Sequence, residues 1–184
     1  MTKSDALALL KEHVQTEQLI GHSVATAAIM KKLAGKLGAD PELWEVTGLL
    51  HDLDFESTKD TPAEHCLKTL EMLKYKDLPP EALDAIKMHN AAALGIERSG
   101  EFAHALAAAE TITGLIVASA LVRPDRKLAS VKVKSVKKKM KDKRFAANVS
   151  REIIMECEQF GLGLDEFIGL SLEAMSEIAD TLGL

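Results

Sequence analysis

Cysteine and aromatic residues are scarce in this chain. Its 184 residues include two cysteines, one tryptophan and one tyrosine, and aromatic side chains make up 4% of the total. Cys66 and Cys157 lie far apart and form no CxxC pair. The sequence therefore has no disulfide framework and fits a reducing compartment. We interpret both cysteines as small buried hydrophobic side chains.

No signal-like segment precedes the first amphipathic pattern, so we expect a cytoplasmic protein. Length and composition, with 47% apolar and 28% charged residues, predict a single domain over residues 1–184. Residues 102–122 are long enough to span a bilayer, and Glu110 is the only Asp, Glu, Lys or Arg among them. A charge near the centre of a lone spanning helix costs about 2.5–3.5 kcal/mol. We therefore predict a buried central helix and no membrane partner.

The alternation typical of strands is absent, and helical periodicity is widespread. The sequence predicts an all-α, multi-helix bundle. Ser4 is a candidate cap for the first helix, and Asp40-Pro41 and Thr61-Pro62 have the spacing of helix starts. The second of these starts places His65 in a first helical turn. The predicted helices cover about 4–13, 17–37, 41–52, 62–77, 80–89, 101–122, 151–160 and 165–182, with loops at 53–60 and 90–100.

Charge is unevenly distributed along the chain. Residues 123–144 contain 11 basic and two acidic residues, a local balance of +9, whereas the rest of the chain carries −14. Such a segment can meet an anion such as a nucleotide, a nucleic acid or an acidic lipid, or can form a solvated surface helix. Nucleic acid is the less favoured partner, because only Phe145 at its edge offers an aromatic ring for stacking.

The dipeptide His51-Asp52 and the isolated histidines around it are the strongest chemical signal. Imidazole and carboxylate together suit divalent ions such as Fe, Mn, Zn, Ni and Co, and the two oxygens of Asp52 could bridge two ions. Each histidine also has an ordinary interpretation, as a core, capping, helix-terminal or exposed residue. A carboxylate buried in an apolar helix, however, needs a proton or a cation. The candidate ligands are His22, His51, Asp52, His65, His89 and Glu110.

The order of these residues resembles the HD-domain superfamily of metal-dependent phosphohydrolases. Its pattern is an isolated histidine, then His-Asp, then a distal acid on a later helix, and some branches add two intervening histidines and a second metal. Residues 48–52 (Gly-Leu-Leu-His-Asp) and 107–110 (Ala-Ala-Ala-Glu) are similar to the sequence around its motifs. The resemblance covers about residues 15–122 and leaves 123–184 as a C-terminal helical extension.

Two positions depart from the family's pattern. Glu110 stands where the distal ligand is usually Asp. The HD-x-G-K form of cyclic-dinucleotide phosphodiesterases is absent, because Leu53-Asp54-Phe55 follows the dipeptide. Lys59, Arg123 or the basic segment 123–144 would then contact the substrate phosphate.

The resemblance implies hydrolysis of a nucleotide or another small phosphoester by metal-activated water. It implies one or two divalent ions, drawn from Fe, Mn, Zn, Ni, Co or Mg. The first would be held by His22, His51, Asp52 and Glu110, and the second by His65, His89 and the bridging Asp52. Asp54 or Glu64 could act as a general base or an orienting group, or could be a solvated or capping residue.

Two other functions fit the same residues. The resemblance extends to HD-type di-iron enzymes that activate O₂ with four histidines and two carboxylates. A non-catalytic metal-binding or ligand-binding module is the third interpretation, because Glu110 could disable the site. Substrate turnover with iron that requires air would distinguish the oxygenase, and bound metal without phosphoester turnover would distinguish the module.

Overall fold

The fold consists of helices joined by short connections. The computed structural model describes residues 1–184 and contains twelve α-helices, two short 3-10 helices and no β-strand. The all-α prediction is therefore confirmed. The helices are α1 (Lys3–His13), α2 (Glu17–Leu37), α3 (Pro41–Leu50), α4 (Phe55–Thr58), α5 (Leu67–Leu73), α6 (Pro80–His89), α7 (Ala91–Leu94), α8 (Glu101–Leu121), α9 (Val133–Met140), α10 (Arg151–Met155), α11 (Leu164–Glu177) and α12 (Ala179–Leu182).

Capping residues mark one end of each of the first three helices. The Asp40 carboxylate accepts hydrogen bonds from the first backbone N–H groups of α3, as its Asp-Pro start predicts. Gly38 ends α2 in the left-handed conformation, with φ of 75°. The cap of α1 is Thr2 and not Ser4, because Thr2 and Asp5 form a reciprocal capping box.

Helix α8 is the centre of the bundle. It contacts α2, α6, α10 and α11, and its small side chains let these neighbours approach closely. By length and composition it could cross a membrane, but 67% of its most apolar window is buried inside the bundle. The predicted buried central helix is confirmed.

Close packing of α2 against α3 brings the isolated histidine and the His-Asp dipeptide of the motif together. A Cβ at Gly48 would lie 2.7 Å from the Cα of Ala27, so only glycine fits between the two backbones at this point. This approach places His22, on α2, beside His51 at the end of α3. Gly48 is therefore a packing requirement of the motif.

Two segments predicted as loops contain short helices. Residues 53–60 include α4, and residues 90–100 include α7. Both helices have four residues, which is too short for a hydrophobic period to be recognised in the sequence. The predicted helices at 151–160 and 165–182 are each interrupted, the first by a change to 3-10 geometry and the second at Ile178.

The predicted helix start at Thr61-Pro62 is wrong. Residues 62–66 form turns, and α5 begins at Leu67. Cys66 has φ of 75°, which no right-handed helix accommodates. His65 therefore precedes the helix instead of occupying its first turn, and its side chain is free to point inward.

The C-terminal elements pack on the motif core. Helix α11 contacts α2 and α9, and α10 contacts α8. The buried guanidinium of Arg151 holds the turns between α9 and α10 by donating to their backbone carbonyls. The acceptors are the carbonyls of Lys139, Asp142, Phe145, Ala146 and Val149. The end of the basic segment is thereby fixed beside α8.

Candidate metal centre

Six side chains from separate parts of the sequence meet at one place, with Asp52 at its centre. Helix α2 supplies one histidine, the end of α3 supplies His51-Asp52, and the turn before α5 supplies another histidine. Helix α6 ends in a fourth histidine, and the middle of α8 supplies a glutamate. The structure thus brings together every ligand candidate from the sequence: His22, His51, Asp52, His65, His89 and Glu110.

The two carboxylate oxygens of Asp52 face two different pairs of imidazoles. Its Oδ2 lies 3.4 Å from Nε2 of His51 and 3.6 Å from Nε2 of His22. Its Oδ1 lies 3.3 Å from Nε2 of His65 and 3.2 Å from Nε2 of His89. One carboxylate therefore belongs to two donor groups, which is the arrangement expected of a bridging ligand.

Two of these imidazoles are anchored by backbone carbonyls. Nδ1 of His51 donates to the carbonyl of Gly48 at 2.9 Å, and Nδ1 of His89 donates to the carbonyl of Ile86 at 2.6 Å. Both acceptors lie three residues upstream on the helix that carries the histidine. A fixed Nδ1–H orients the ring and directs Nε2 toward Asp52.

His65 is anchored by a second carboxylate. Its Nδ1 lies 2.7 Å from Oδ1 of Asp54, whose Oδ2 accepts from the backbone N–H of Thr69 at 3.0 Å. Asp54 is 1% exposed. Its carboxylate is therefore turned inward to orient His65, and the sequence had left this role open beside a general base and a solvated or capping residue.

His22 is oriented through a hydroxyl group on α8. Its Nδ1 lies 2.9 Å from Oγ1 of Thr113, and that hydroxyl donates to the backbone carbonyl of Glu110 at 2.6 Å. Since the hydroxyl proton is used there, Thr113 accepts the Nδ1–H of His22. All four histidines thus present Nε2 to Asp52.

Glu110 lies at the edge of this group. Its Oε2 is 4.0 Å from Nε2 of His22, and the Thr111 hydroxyl donates to its other carboxylate oxygen. Burial raises its pKa above the ordinary value, although the neighbouring imidazole of His22 opposes the shift. Glu110 is therefore farther from the other donors than any histidine is from Asp52.

The charges of the centre are strongly coupled. Burial alone would raise the pKa of Asp52, but the neighbouring histidines lower it well below the ordinary value. Burial lowers the pKa of His51 to about 3. Burial also lowers that of His65, but hydrogen bonds to Asp52 and Asp54 outweigh it and raise the pKa to about 12. The anionic Asp52 is therefore met by a proton on His65, in a place where a divalent cation would meet it equally well.

Cys66 is the site residue that sequence reasoning missed. Its thiol is buried, as predicted, but its Sγ lies 3.8 Å from Nε2 and 3.5 Å from Nδ1 of His89. Burial raises its pKa, but the neighbouring imidazoles of His65 and His89 outweigh burial and lower the pKa below the ordinary value. Its place next to His65 in the sequence is a signal, but the predicted helix start at Thr61 obscured it.

Cavities flank His22 on two sides. One of about 280 Å³ also borders Glu110 and the turn that contains Asn148. Another of about 720 Å³ extends from His22 to the C-terminal residues 180–184. A third, of about 350 Å³, shares Asn148 with the first and reaches Lys143. Lys143 of the basic segment therefore lines a cavity next to the one that borders His22 and Glu110.

Three predicted site residues are not brought to these cavities. Glu64 has a 53% exposed side chain, and it forms an ion pair with Lys68 at 2.8 Å. The Arg123 guanidinium donates to the backbone carbonyl of Ser130. Lys59 is exposed at the end of α4. The structure assigns none of the three to the lining of the cavities beside His22.

The arrangement agrees with the comparisons to known proteins. The HD domain family profile matches residues 19–121, which is more than half of the chain. Ribonuclease Y of Helicobacter hepaticus is 30% identical over 74 residues, covering 40% of this chain but 14% of that protein's length. No solved structure matches the chain significantly. The chain belongs to the HD-domain family.

Proposed function

We propose that this protein is a metal-dependent phosphohydrolase that acts on a nucleotide or another small phosphoester. The observation that carries the proposal is the placement of Asp52, whose two oxygens each face a pair of imidazole Nε2 atoms. Family membership supports a hydrolase of this kind. The donor types also fit, because carboxylate and imidazole suit divalent metal ions.

The donors divide into two sets that share Asp52. His22, His51 and Glu110 would hold one ion, and His65 and His89 would hold the other. Divalent ions in such a centre supply an activated water and stabilise negative charge on phosphoryl oxygens. The anchored Nδ1 atoms keep the imidazoles in place, so that little reorganisation is needed when a cation binds.

The residues around the centre have separate tasks in this proposal. Asp54 holds the ring of His65 through Nδ1. Thr113 does the same for His22. Asn148 lines the cavity that borders His22 and Glu110, and Lys143 lines a second cavity that shares Asn148 with it. Both side chains would position the phosphate of the substrate in place of Lys59 and Arg123.

A phosphodiester in single-stranded RNA is a second candidate substrate. Two observations favour it: the basic segment 123–144 reaches a cavity that shares Asn148 with the cavity bordering His22 and Glu110, and the similar protein from Helicobacter hepaticus is named a ribonuclease. A basic surface beside the centre would retain a polyanion more strongly at low salt than at high salt. The two candidates therefore differ in salt dependence as well as in product.

The decisive experiment is elemental analysis of the purified protein followed by a phosphoester screen. The substrates are mononucleotides, dinucleotides and a short oligoribonucleotide, each with Mg²⁺, Mn²⁺, Co²⁺, Ni²⁺ or Zn²⁺. We expect metal-dependent hydrolysis that is lost in Asp52→Ala and retained in the control Glu64→Gln. Bound metal without hydrolysis of any substrate would favour the binding module, and consumption of O₂ by the iron-loaded protein would favour the oxygenase.

A further inference from the structure

The buried thiol of Cys66 faces the second donor set. Its Sγ and one ring nitrogen each from His65 and His89 form a group whose ligand atoms all lie within 4.8 Å of one another. Oδ1 of Asp52 lies 3.3 Å from Nε2 of His65 and 3.2 Å from Nε2 of His89. Three elements of the fold thus bring one sulfur, two nitrogens and one oxygen together.

The separations match those of a tetrahedral site. Metal–nitrogen bonds of about 2.0–2.1 Å and metal–sulfur bonds of about 2.3 Å place two nitrogens about 3.3 Å apart and a sulfur and a nitrogen about 3.6 Å apart. In the structure the Nε2 atoms of His65 and His89 are 3.1 Å apart. Sγ of Cys66 is 3.8 Å from Nε2 of His89. A cation would need only small adjustments of these side chains.

The other cysteine provides the contrast. Cys157 belongs to the apolar core cluster, and Cys66 does not, although both thiols are fully buried. The hydrogen-bond contacts of the Cys66 sulfur are with the ring nitrogens of His89. The Nδ1–H of that ring is already donated to Ile86, and the sulfur also lies 3.8 Å from Nε2, the nitrogen that points at Asp52.

The backbone at this position supports a role for the side chain. Cys66 has φ of 75°, a region that glycine occupies without strain and that costs other residues about 1–3 kcal/mol. If the side chain at this position only filled space, glycine would serve there without the backbone strain. The cysteine side chain instead reaches the donor group.

We infer that Cys66 is a ligand of the second ion, in a four-donor set with Asp52, His65 and His89. The inference rests on the proposed metal centre and adds a ligand that its histidine and carboxylate motifs lack. A thiolate favours Zn²⁺ or Co²⁺ over Mg²⁺ and Mn²⁺. The second position should therefore select a softer metal than the position formed by His22, His51 and Glu110.

Cobalt titration tests this assignment without measuring activity. Wild-type protein, Cys66→Ser and the matched control Cys157→Ser are each titrated with Co²⁺, and the near-ultraviolet sulfur-to-cobalt charge-transfer absorption is recorded. We expect the band in the wild type and in Cys157→Ser, and its loss in Cys66→Ser. X-ray absorption of the zinc-loaded wild type should also detect a sulfur about 2.3 Å from the metal, and this measurement does not depend on the folding of any variant.

The possible results distinguish an error in the Cys66 assignment from an error in the proposed metal centre. If the wild type binds cobalt without the band, and zinc without a sulfur neighbour, Cys66 is not a ligand and the proposed metal centre stands. Loss of the band in Cys157→Ser, with the band retained in Cys66→Ser, would identify Cys157 as the sulfur ligand and overturn the inference. If the wild type binds neither metal, both the ligand and the proposed centre are wrong.

Discussion

Two carboxylates seven residues apart are both buried, yet their charges are met in different ways. Glu45, in the middle of α3, accepts from Lys3 at 2.6 Å and from Lys31 at 2.8 Å. Asp52, just after the end of the same helix, faces only imidazoles. The first is neutralised by permanent cations, and the second by groups whose charge depends on protons.

This difference separates a structural acid from a chemical one. The lysines that meet Glu45 come from α1 and α2, so the ion pairs fasten both helices to α3. Burial raises the pKa of Glu45, but the two lysines outweigh it and lower the pKa below the ordinary value. Imidazoles, in contrast, can exchange a proton for a metal ion. Burial of a carboxylate therefore says little about function until its partners are known.

Asp52→Ala should have the largest effect. The variant removes the one group shared by both donor sets, so we expect loss of bound metal and a fall in hydrolysis of more than about a hundredfold, the upper range for losing only an orienting group. Bound metal, hydrolysis and thermal unfolding are measured on the same preparation. Wild-type activity in this variant would contradict the proposed mechanism.

Asp54→Asn should weaken one half of the centre. The amide keeps the shape but not the charge that orients His65, so we expect about 10–100-fold weaker binding of the second metal ion. Competitive metal titration should find the first equivalent unchanged. A uniform loss of both equivalents would instead indicate that Asp54 supports the fold of the whole centre.

Metal affinity should rise with pH. His65 has a pKa raised from 6.5 to about 12, so without metal its proton stabilises the folded state fully below pH 6.5, and that contribution is lost as the pH rises toward 12. A metal ion must displace this proton, and affinity should increase about tenfold per pH unit for each proton displaced. Titrations at pH 6, 7 and 8 measure the slope. An affinity independent of pH would mean that His65 is not a ligand.

Glu45→Gln should lower the stability of the fold and leave metal binding and hydrolysis unchanged, the opposite of what is expected for Asp52→Ala. We expect a loss of about 1–2 kcal/mol in the free energy of unfolding, because a buried acceptor is neutralised while both lysines can turn to solvent. Metal stoichiometry and hydrolysis should stay at wild-type values. Denaturant unfolding at low and high salt measures the loss, and loss of metal from this variant would remove the distinction between the two carboxylates.

The family resemblance implied the histidine and carboxylate ligands and their division between two ions, but not the contacts that orient each side chain. His22, His51, Asp52 and Glu110 follow a motif order that determines which helices must converge. A bridging Asp52 was expected, but the oxygen that faces each pair and the distances depend on the rotamers of five side chains, which no spacing specifies. Lys143 reaches the cavities only because Arg151 fixes the turns after α9.

Cys66 shows why local signals failed at one point. Thr61-Pro62 has good helix-start chemistry, and a helix from there would have placed residue 66 within its second turn. The left-handed backbone at Cys66 overrides that preference. Tertiary contacts of His65 with Asp52 and Asp54 hold the turn in place, and such contacts are not visible in the local sequence.

An exposed carboxylate should give the smallest effect and completes the comparison. Glu64 pairs with Lys68, four residues along the chain, and is more than half exposed. Solvent therefore screens the pair, and its loss should change the free energy of unfolding by at most about 0.5 kcal/mol. Glu64→Gln should keep the metal content and the hydrolysis of the wild type, since nothing in the structure places this side chain beside the donors. Hydrolysis measured across pH 5 to 9 is the sharper assay, because a general base would leave its titration in the rate profile. If Glu64→Gln removed the fall of the rate at acidic pH, the turn at residues 61–66 would have to move to bring this carboxylate to the substrate. The distinction between exposed and buried acids would then fail.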